Sequence, residues 1–525
     1  MTKRLFILFL LGLFVVSIPS YVIAQSEGLA EPKLVSKEKE HLIMGKGGNG
    51  NNETPGEWFV GESPADPQPN APVLLFVPGL NGVAQTFWEE NGLYSAANEA
   101  GYETAFIQLY DAGGASADMW DNGKLLAEKI KEISAYFNGK PITVIAYSKG
   151  GVDTQAAVTY YGAWRYVDNI ITLSSPHYGS ELADLANSNW AGWLAQLLGL
   201  RGEGTSAVET GYMEYFRSIT DDKPYAYVND FYTVGGKDWG NIFSATWFGG
   251  VYLSSYGEND GVVTAVSTRL PKGQEIGIGD WNHVSIRSNI IFPVIENYIS
   301  ADMKNRNQSK SNLMHTNVPD ADRYIHGNKL TKGKQAKQVF PIETDVDKMT
   351  LQLYTGYQLT DVQLVDPKGN AYSANQVATM EETGVFDGVT AYNIEVDDPP
   401  QGDWSIQMQS PEENAYLLHV QFSKANDKKI ISHVNQDKNI SGKYQLKADK
   451  SYVKEDSIEA VYTVIESGKK NNVSTWKTKG TINLSEELSH LKKNRAYNIT
   501  IDIKGETASG SPFKRTIIDS VYLSD

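Results

Sequence analysis

The run Ala146-Tyr147-Ser148-Lys149-Gly150-Gly151 places a hydroxyl between two small residues, Ala146 two positions before it and Gly150 two after. A serine so flanked can sit on a sharp, strained turn, because the chain folds back past the small residues without a clash. Such a turn serves nucleophilic attack on an ester carbonyl, with the hydroxyl held where a base and a substrate both reach it. The short pattern by itself arises by chance in many long chains, so its meaning depends on what flanks it. Ser174 and Ser175 are rival hydroxyls, but they end an apolar run and Pro176 follows, which disfavours an immediate helix.

The flanks supply the required context. Ile142-Thr143-Val144-Ile145 reads as a buried strand and residues 152–161 as the helix after the turn. From about 58 to 300, short β-branched runs alternate with amphipathic helices, the pattern of a mostly parallel sheet covered by helices. Val73-Leu74-Leu75-Phe76-Val77, Thr104-Ala105-Phe106-Ile107 and Ile170-Ile171-Thr172-Leu173 are further predicted strands. Leu126, Ile130, Ile133 and Phe137 recur at helical spacing between the second and third strands, and Asn138-Gly139 ends that helix.

Over roughly residues 70–290 the sequence resembles the bacterial lipases of the α/β-hydrolase superfamily. Their Ala-x-Ser-x-Gly elbow matches residues 146–150, and Pro78-Gly79-Leu80-Asn81-Gly82 follows a strand as their oxyanion loop does. Ser175-Pro176-His177-Tyr178-Gly179-Ser180 resembles their Pro-His-x-Gly segment, and Asn259-Asp260-Gly261-Val262-Val263 their acid loop. Two positions depart: Pro78 stands where His usually precedes the glycine, and Tyr147 where His is common. Both shape a pocket rather than carry a proton.

In this fold the nucleophile is followed by the acid and then by the base. His177 and His283 are the histidines after Ser148 within the region. His177 comes too soon to leave room for an acid strand, so His283, in Asp280-Trp281-Asn282-His283, is the expected general base and later acid. Asp260, on an Asp-Gly turn before an apolar strand end, is the preferred orienting carboxylate, with Asp238 and Asp280 as alternatives. The resemblance implies oxyanion donors at the backbone N–H groups of Leu80 and Lys149.

Lys3-Arg4, the apolar residues 5–16 and Val22-Ile23-Ala24 predict a cleaved export signal over 1–24; a retained anchor is the competing reading. The expected location is therefore outside the cell. Residues 25–57, with glycine-rich 45–52, read as a flexible leader, 58–300 as the hydrolase domain and basic 301–338 as a linker. Beyond it the period becomes two: Met349, Leu351 and Leu353 alternate, as do Trp404, Ile406 and Met408, and later Tyr497, Ile499, Ile501 and Ile503. Two immunoglobulin- or fibronectin-like β-sandwiches are expected, over 339–425 and 428–525.

The 525-residue chain has no cysteine, which excludes disulfides and thiolate metal sites. Removing Lys3 and Arg4 from the 47 basic residues leaves 45 against 63 acidic ones, a formal charge of −18 that disfavours nucleic acid as a partner. A neutral ester or lipid fits better. No cofactor is expected; the resemblance leaves room for a structural calcium ion whose ligands the sequence does not name. Leu182, Leu185, Trp190, Trp193, Leu194, Leu197 and Leu198 form an apolar stripe, readable as a lid over the site or as an ordinary buried helix. The sandwiches are candidates for binding a polymer or cell surface. Three functions thus stand side by side: a secreted serine carboxylester hydrolase, a polyester (polyhydroxyalkanoate-type) depolymerase, and an inactive surface-binding or adhesion protein. Acyl transfer to an alcohol other than water is open to the first.

Overall fold

Strands β1 (Lys33–Ser36), β2 (Trp58–Val60), β3 (Val73–Val77), β4 (Thr104–Ile107), β5 (Ile142–Tyr147), β6 (Val167–Leu173), β7 (Asp230–Gly236) and β8 (Gln274–Gly279) form one sheet. Their order is β1-β2-β4-β3-β5-β6-β7-β8. Pairings from β4 through β8 are parallel, and β1 and β2 add an antiparallel edge. This computed structural model describes residues 29–36, 53–89, 92–113, 116–198, 202–300, 321–374, 376–379, 385–424, 431–435, 444–448, 451–469, 472–480, 482–483 and 488–525. The predicted export signal, the glycine-rich run 45–52 and residues 301–320 lie outside them.

Every residue of β3 and β5 is buried, which is why these segments are nearly continuous apolar runs rather than alternating, with the Thr143 hydroxyl satisfied by the Ile299 carbonyl. The covering helices include α1 (Leu93–Glu99), α2 (Met119–Tyr136) and α3 (Lys149–Tyr160). Asp118 caps α2 by accepting from the N–H groups of Trp120 and Asp121, and Asn138 and Gly139, both at positive φ, stop the chain beyond it. Its predicted apolar stripe is buried. β4 and β5 flank β3 on opposite sides, so the direction of winding reverses at β3, and open α/β sheets place their sites at the carboxyl ends of the strands beside such a reversal.

All four predicted strands are present, β3 and β4 with the expected limits. β1 falls inside the stretch expected to be a flexible leader. It owes its extended form to pairing with β2 rather than to its own composition.

Beyond residue 320 the pairings are antiparallel. A four-stranded sheet containing Gln335–Ile342 and Gly402–Gln409 faces a five-stranded one containing Arg323–Leu330, Lys348–Thr355 and Asn414–Ser423. Phe340, Leu351, Trp404, Ile406 and Leu418 lie between them. Much of residues 321–338, expected as part of a linker, is therefore strand. Lys329, Lys332, Lys334 and Lys337, which disguised it, are exposed, while Tyr324, Ile325 and Leu330 are buried. A further four-stranded sheet, Val473–Lys479, Glu459–Glu466, Arg495–Glu506 and Pro512–Leu523, encloses Tyr462, Ile499, Ile501 and Ile517. Ile431–Asn435, Tyr444–Ala448 and Ile482–Asn483 pair as a separate small sheet.

The C-terminal strands dock on α4 (Glu181–Asn187), α5 (Gly192–Leu198), α7 (Thr210–Thr220) and α8 (Ala245–Leu253), while α6 (Glu203–Ala207) packs on α4 and α7. Leu182, Leu185, Leu194 and Phe248 share one apolar cluster with Ile325, Tyr354, Leu417 and Ile518. Polar contacts reinforce it: Trp190 Nε1 donates to Asp502 Oδ1 at 2.9 Å, and Asn498 Nδ2 to the Asp184 carbonyl at 2.8 Å. Leu182, Leu185 and Leu194 of the predicted apolar stripe are thus packed beneath the C-terminal sheets with Trp190 partly buried against them, while Trp193 and Leu197 are exposed.

Candidate active site

Ser148 stands between β5 and α3 with φ 51° and ψ −132°, a conformation an L-residue holds only when its surroundings force it. The forcing comes from close approach. A Cβ on Gly150 would lie 2.4 Å from the Pro78 carbonyl oxygen, and one on Gly79 only 2.7 Å from the Ser148 Cβ. Both glycines let the turn and the loop after β3 touch. The Ser148 N–H donates to the Leu173 carbonyl at 2.8 Å, tying the turn to β6.

Ser148 Oγ lies 3.0 Å from His283 Nε2, and His283 Nδ1 lies 2.7 Å from Asp260 Oδ2. The other Asp260 oxygen accepts from the N–H groups of Val262 and Val263, at 2.9 and 2.7 Å, and the His283 N–H donates to the Asp260 carbonyl. These bonds hold the carboxylate edge toward the imidazole. Gly261, at φ +94°, permits the turn: a Cβ there would meet the Thr246 carbonyl at 2.3 Å. Asp260 and His283 are buried and Ser148 is 8 % exposed, so one edge of the relay faces solvent.

The alternatives lie elsewhere. Asp280 is exposed and faces Lys237 at 3.6 Å, and Asp238 caps the N–H of its neighbour Trp239. His177 is buried with Nε2 3.2 Å from Thr172 Oγ1, and burial, aided by Arg217, holds its imidazole well below the ordinary range. Of the candidate acids and bases, the structure therefore brings Asp260 and His283 to Ser148.

Leu80 lies in the loop after β3 and Lys149 is the first residue of α3, so their main chains flank Ser148 from two sides. The Lys149 side chain escaped the sequence reading. Its Nζ is buried between Asp153, at 2.9 Å, and Asp111, at 3.4 Å. Asp153 stands four residues along the same helix, a spacing that could have flagged the pair; nothing in the sequence pointed to Asp111. Among the described residues, no group of three or more histidine or acidic side chains is gathered as a metal site.

No family model matches the sequence. The chain is similar to a Bacillus licheniformis lipase, BlEst2, in its propeptide form, with 32% identity and a TM-score of 0.76 over 90% of this chain and 98% of that one. It is similar also to the mature form of that lipase, 42% identical over 47% of this chain and 100% of that one, TM-score 0.45. Triacylglycerol lipase 2 of Saccharomyces cerevisiae is 28% identical over 169 residues, 31% of this chain. The chain spans 50% of the length of that curated relative. The protein belongs to the lipases and esterases of the α/β-hydrolase fold. It is a carboxylic ester hydrolase.

Proposed function

We propose that the protein hydrolyses neutral esters, lipids among them, through an acyl-enzyme on Ser148. The reading is carried by the relay itself: 3.0 Å from Ser148 Oγ to His283 Nε2 and 2.7 Å from His283 Nδ1 to Asp260 Oδ2. In this mechanism His283 takes the hydroxyl proton as Oγ attacks the carbonyl carbon, then returns it to the leaving alcohol. Asp260 holds the imidazole tautomer and stabilises the imidazolium. The Leu80 and Lys149 N–H groups take the oxyanion, and water attacking by the reverse route releases the acid and frees Ser148. Hydrolysis of a short chromogenic ester, abolished in Ser148→Ala and retained in Ser175→Ala, is the expected result. Undiminished turnover in Ser148→Ala overturns the reading.

A second proposal concerns residues 321–525. The α/β layers end before residue 301, the later strands bury Leu182, Leu185 and Phe248, and the similar B. licheniformis structure is a propeptide form. These observations favour a removable propeptide over a polymer-binding module. Export follows in this reading from the apolar, cleavable character of residues 1–24. Proteolysis of the full chain that leaves a fragment near residue 300 and raises ester turnover supports it; a fall in turnover with that fragment intact opposes it.

A further inference from the structure

Lys149 needs one counter-ion and has two. Both oxygens of Asp153 lie within hydrogen-bond reach of its Nζ, at 2.9 and 3.1 Å, which is sufficient to neutralise a buried ammonium. Asp111, in the short turn Tyr110–Gly113 after β4, approaches the same Nζ through Oδ2 at 3.4 Å. Its Oδ1 does something Asp153 does not: it accepts the N–H of Asn81 at 3.2 Å. Asn122, from the first turn of α2, donates through Nδ2 to Asp111 Oδ2 at 2.5 Å and to Asp153 Oδ2 at 3.0 Å. All four side chains are buried.

Asn81 follows Leu80 in the loop and stands at φ +55°, a left-handed conformation that a non-glycine residue holds at a cost of about 1 kcal/mol or more. The Asp111 carboxylate thus grips the loop at its strained residue with one oxygen and the side chain of Lys149 with the other. Burial, with a smaller push from Asp111, raises the Asp153 carboxyl against the pull of Lys149.

We propose that Asp111 is a positioning residue that fixes the spacing between the Leu80 and Lys149 N–H donors, so that both aim at one oxyanion. This rests on the roles given above to Ser148, Leu80 and Lys149. Donor spacing matters because an oxyanion donor contributes about a hundredfold or more, and a displacement of about 1 Å forfeits much of that. The ground-state carbonyl asks less of the same donors, so the loss falls on kcat rather than KM.

Steady-state hydrolysis of p-nitrophenyl butyrate by the full chain tests it, alongside the affinity for a phenylboronic acid that mimics the tetrahedral intermediate. Asp111→Ala is expected to lower kcat by roughly 10- to 100-fold with KM within about threefold, and to weaken the boronate by a similar factor. Asp111→Asn keeps an acceptor for Asn81 but loses the charge facing Lys149, and recovers part of that loss. Asp153→Ala is expected to lower kcat at least about tenfold less than Asp111→Ala, although it removes the nearer counter-ion. The proposal is overturned if both Asp111 variants keep kcat within about threefold of the parent, or if boronate affinity stands unchanged while kcat falls with the folded fraction. Should Asp111→Ala not fold, the isosteric Asn variant decides alone by the same criteria. Activity persisting in Ser148→Ala would instead remove the underlying reading, whatever Asp111 does.

Discussion

The parallel sheet and the C-terminal sheets bury polar groups to opposite ends. Between β5 and the loop that carries the base, the relay's buried carboxylate is matched: Asp260 meets His283 and two N–H donors. Where the C-terminal sheets meet α4, buried carboxyls are undercompensated. Burial pushes Glu181 up to about 7, with the nearby Asp519 adding to it, and pushes Asp502 up to about 6 despite the hydrogen bonds from Trp190 and Thr516. Asp184 is likewise held well above the ordinary range by burial and by Glu209. A relay that must keep one geometry has its carboxylate satisfied. If the C-terminal sheets are a propeptide, as proposed above, the surface they cover has to come apart, and there groups that would ionise if pH allowed are tolerated.

The sharpest break in that comparison comes from the relay. Ser148→Ala or His283→Ala should lower kcat by about 10⁴-fold or more; the thermal unfolding midpoint should stay within a few degrees in Ser148→Ala, which removes one oxygen, and fall further in His283→Ala, which leaves the buried Asp260 carboxylate without its imidazole. Gly79→Ala should come next, with kcat reduced roughly a hundredfold, because the new Cβ would meet the Ser148 Cβ at 2.7 Å and displace the loop. Its check is kcat for a short ester beside an unchanged circular dichroism spectrum.

The C-terminal side should answer to pH instead. The folded state keeps the Glu181 proton to about 7, against an ordinary 4.5, so this contribution is full below about 4.5 and is lost as pH climbs through about 7. For this one group the difference is of the order of 3 kcal/mol. Urea midpoints should therefore fall between pH 5 and pH 8, and Glu181→Gln should flatten that slope; an unchanged slope would remove Glu181 from the account. The smallest effect is expected from Gly327→Ala, whose Cβ would lie 1.9 Å from the Trp190 carbonyl oxygen. It should cost about 1–3 kcal/mol and speed proteolytic release of the C-terminal sheets, with short-ester turnover retained.

The sequence made the nucleophile legible because its constraint is local: small residues at fixed offsets between a strand and a helix. β3, β4 and α2 were legible for the same reason, through apolar runs or a helical stripe bounded by turn residues. His283 could be reached by chain order. Asp260 needed a resemblance, since an Asp-Gly turn has many uses and only His283, brought close by the fold, singles it out. Asp111 was invisible because its partners Asn81, Asn122 and Lys149 come from three other segments. The strand Arg323–Leu330 hid behind exposed lysines. Its pattern reads as basic, yet Arg323, Tyr324, Ile325, Gly327 and Leu330 are buried.

The apolar cluster on α4, α5 and α8 is completed by residues as late as Ile518. During synthesis Leu253 leaves the ribosome well before the strand Pro512–Leu523 exists, an interval of roughly 15–50 s at ordinary rates of elongation. Leu182, Leu185 and Phe248 gain cover from Ile325, Tyr354 and Leu417 as those emerge, but the cover stays incomplete for that time. A chain terminated before Pro512 would lack Ile518 and leave that cover incomplete, so premature stops near the end should lower the yield of folded chain, whereas the proposed removal of the C-terminal sheets comes only after the α/β layers have folded.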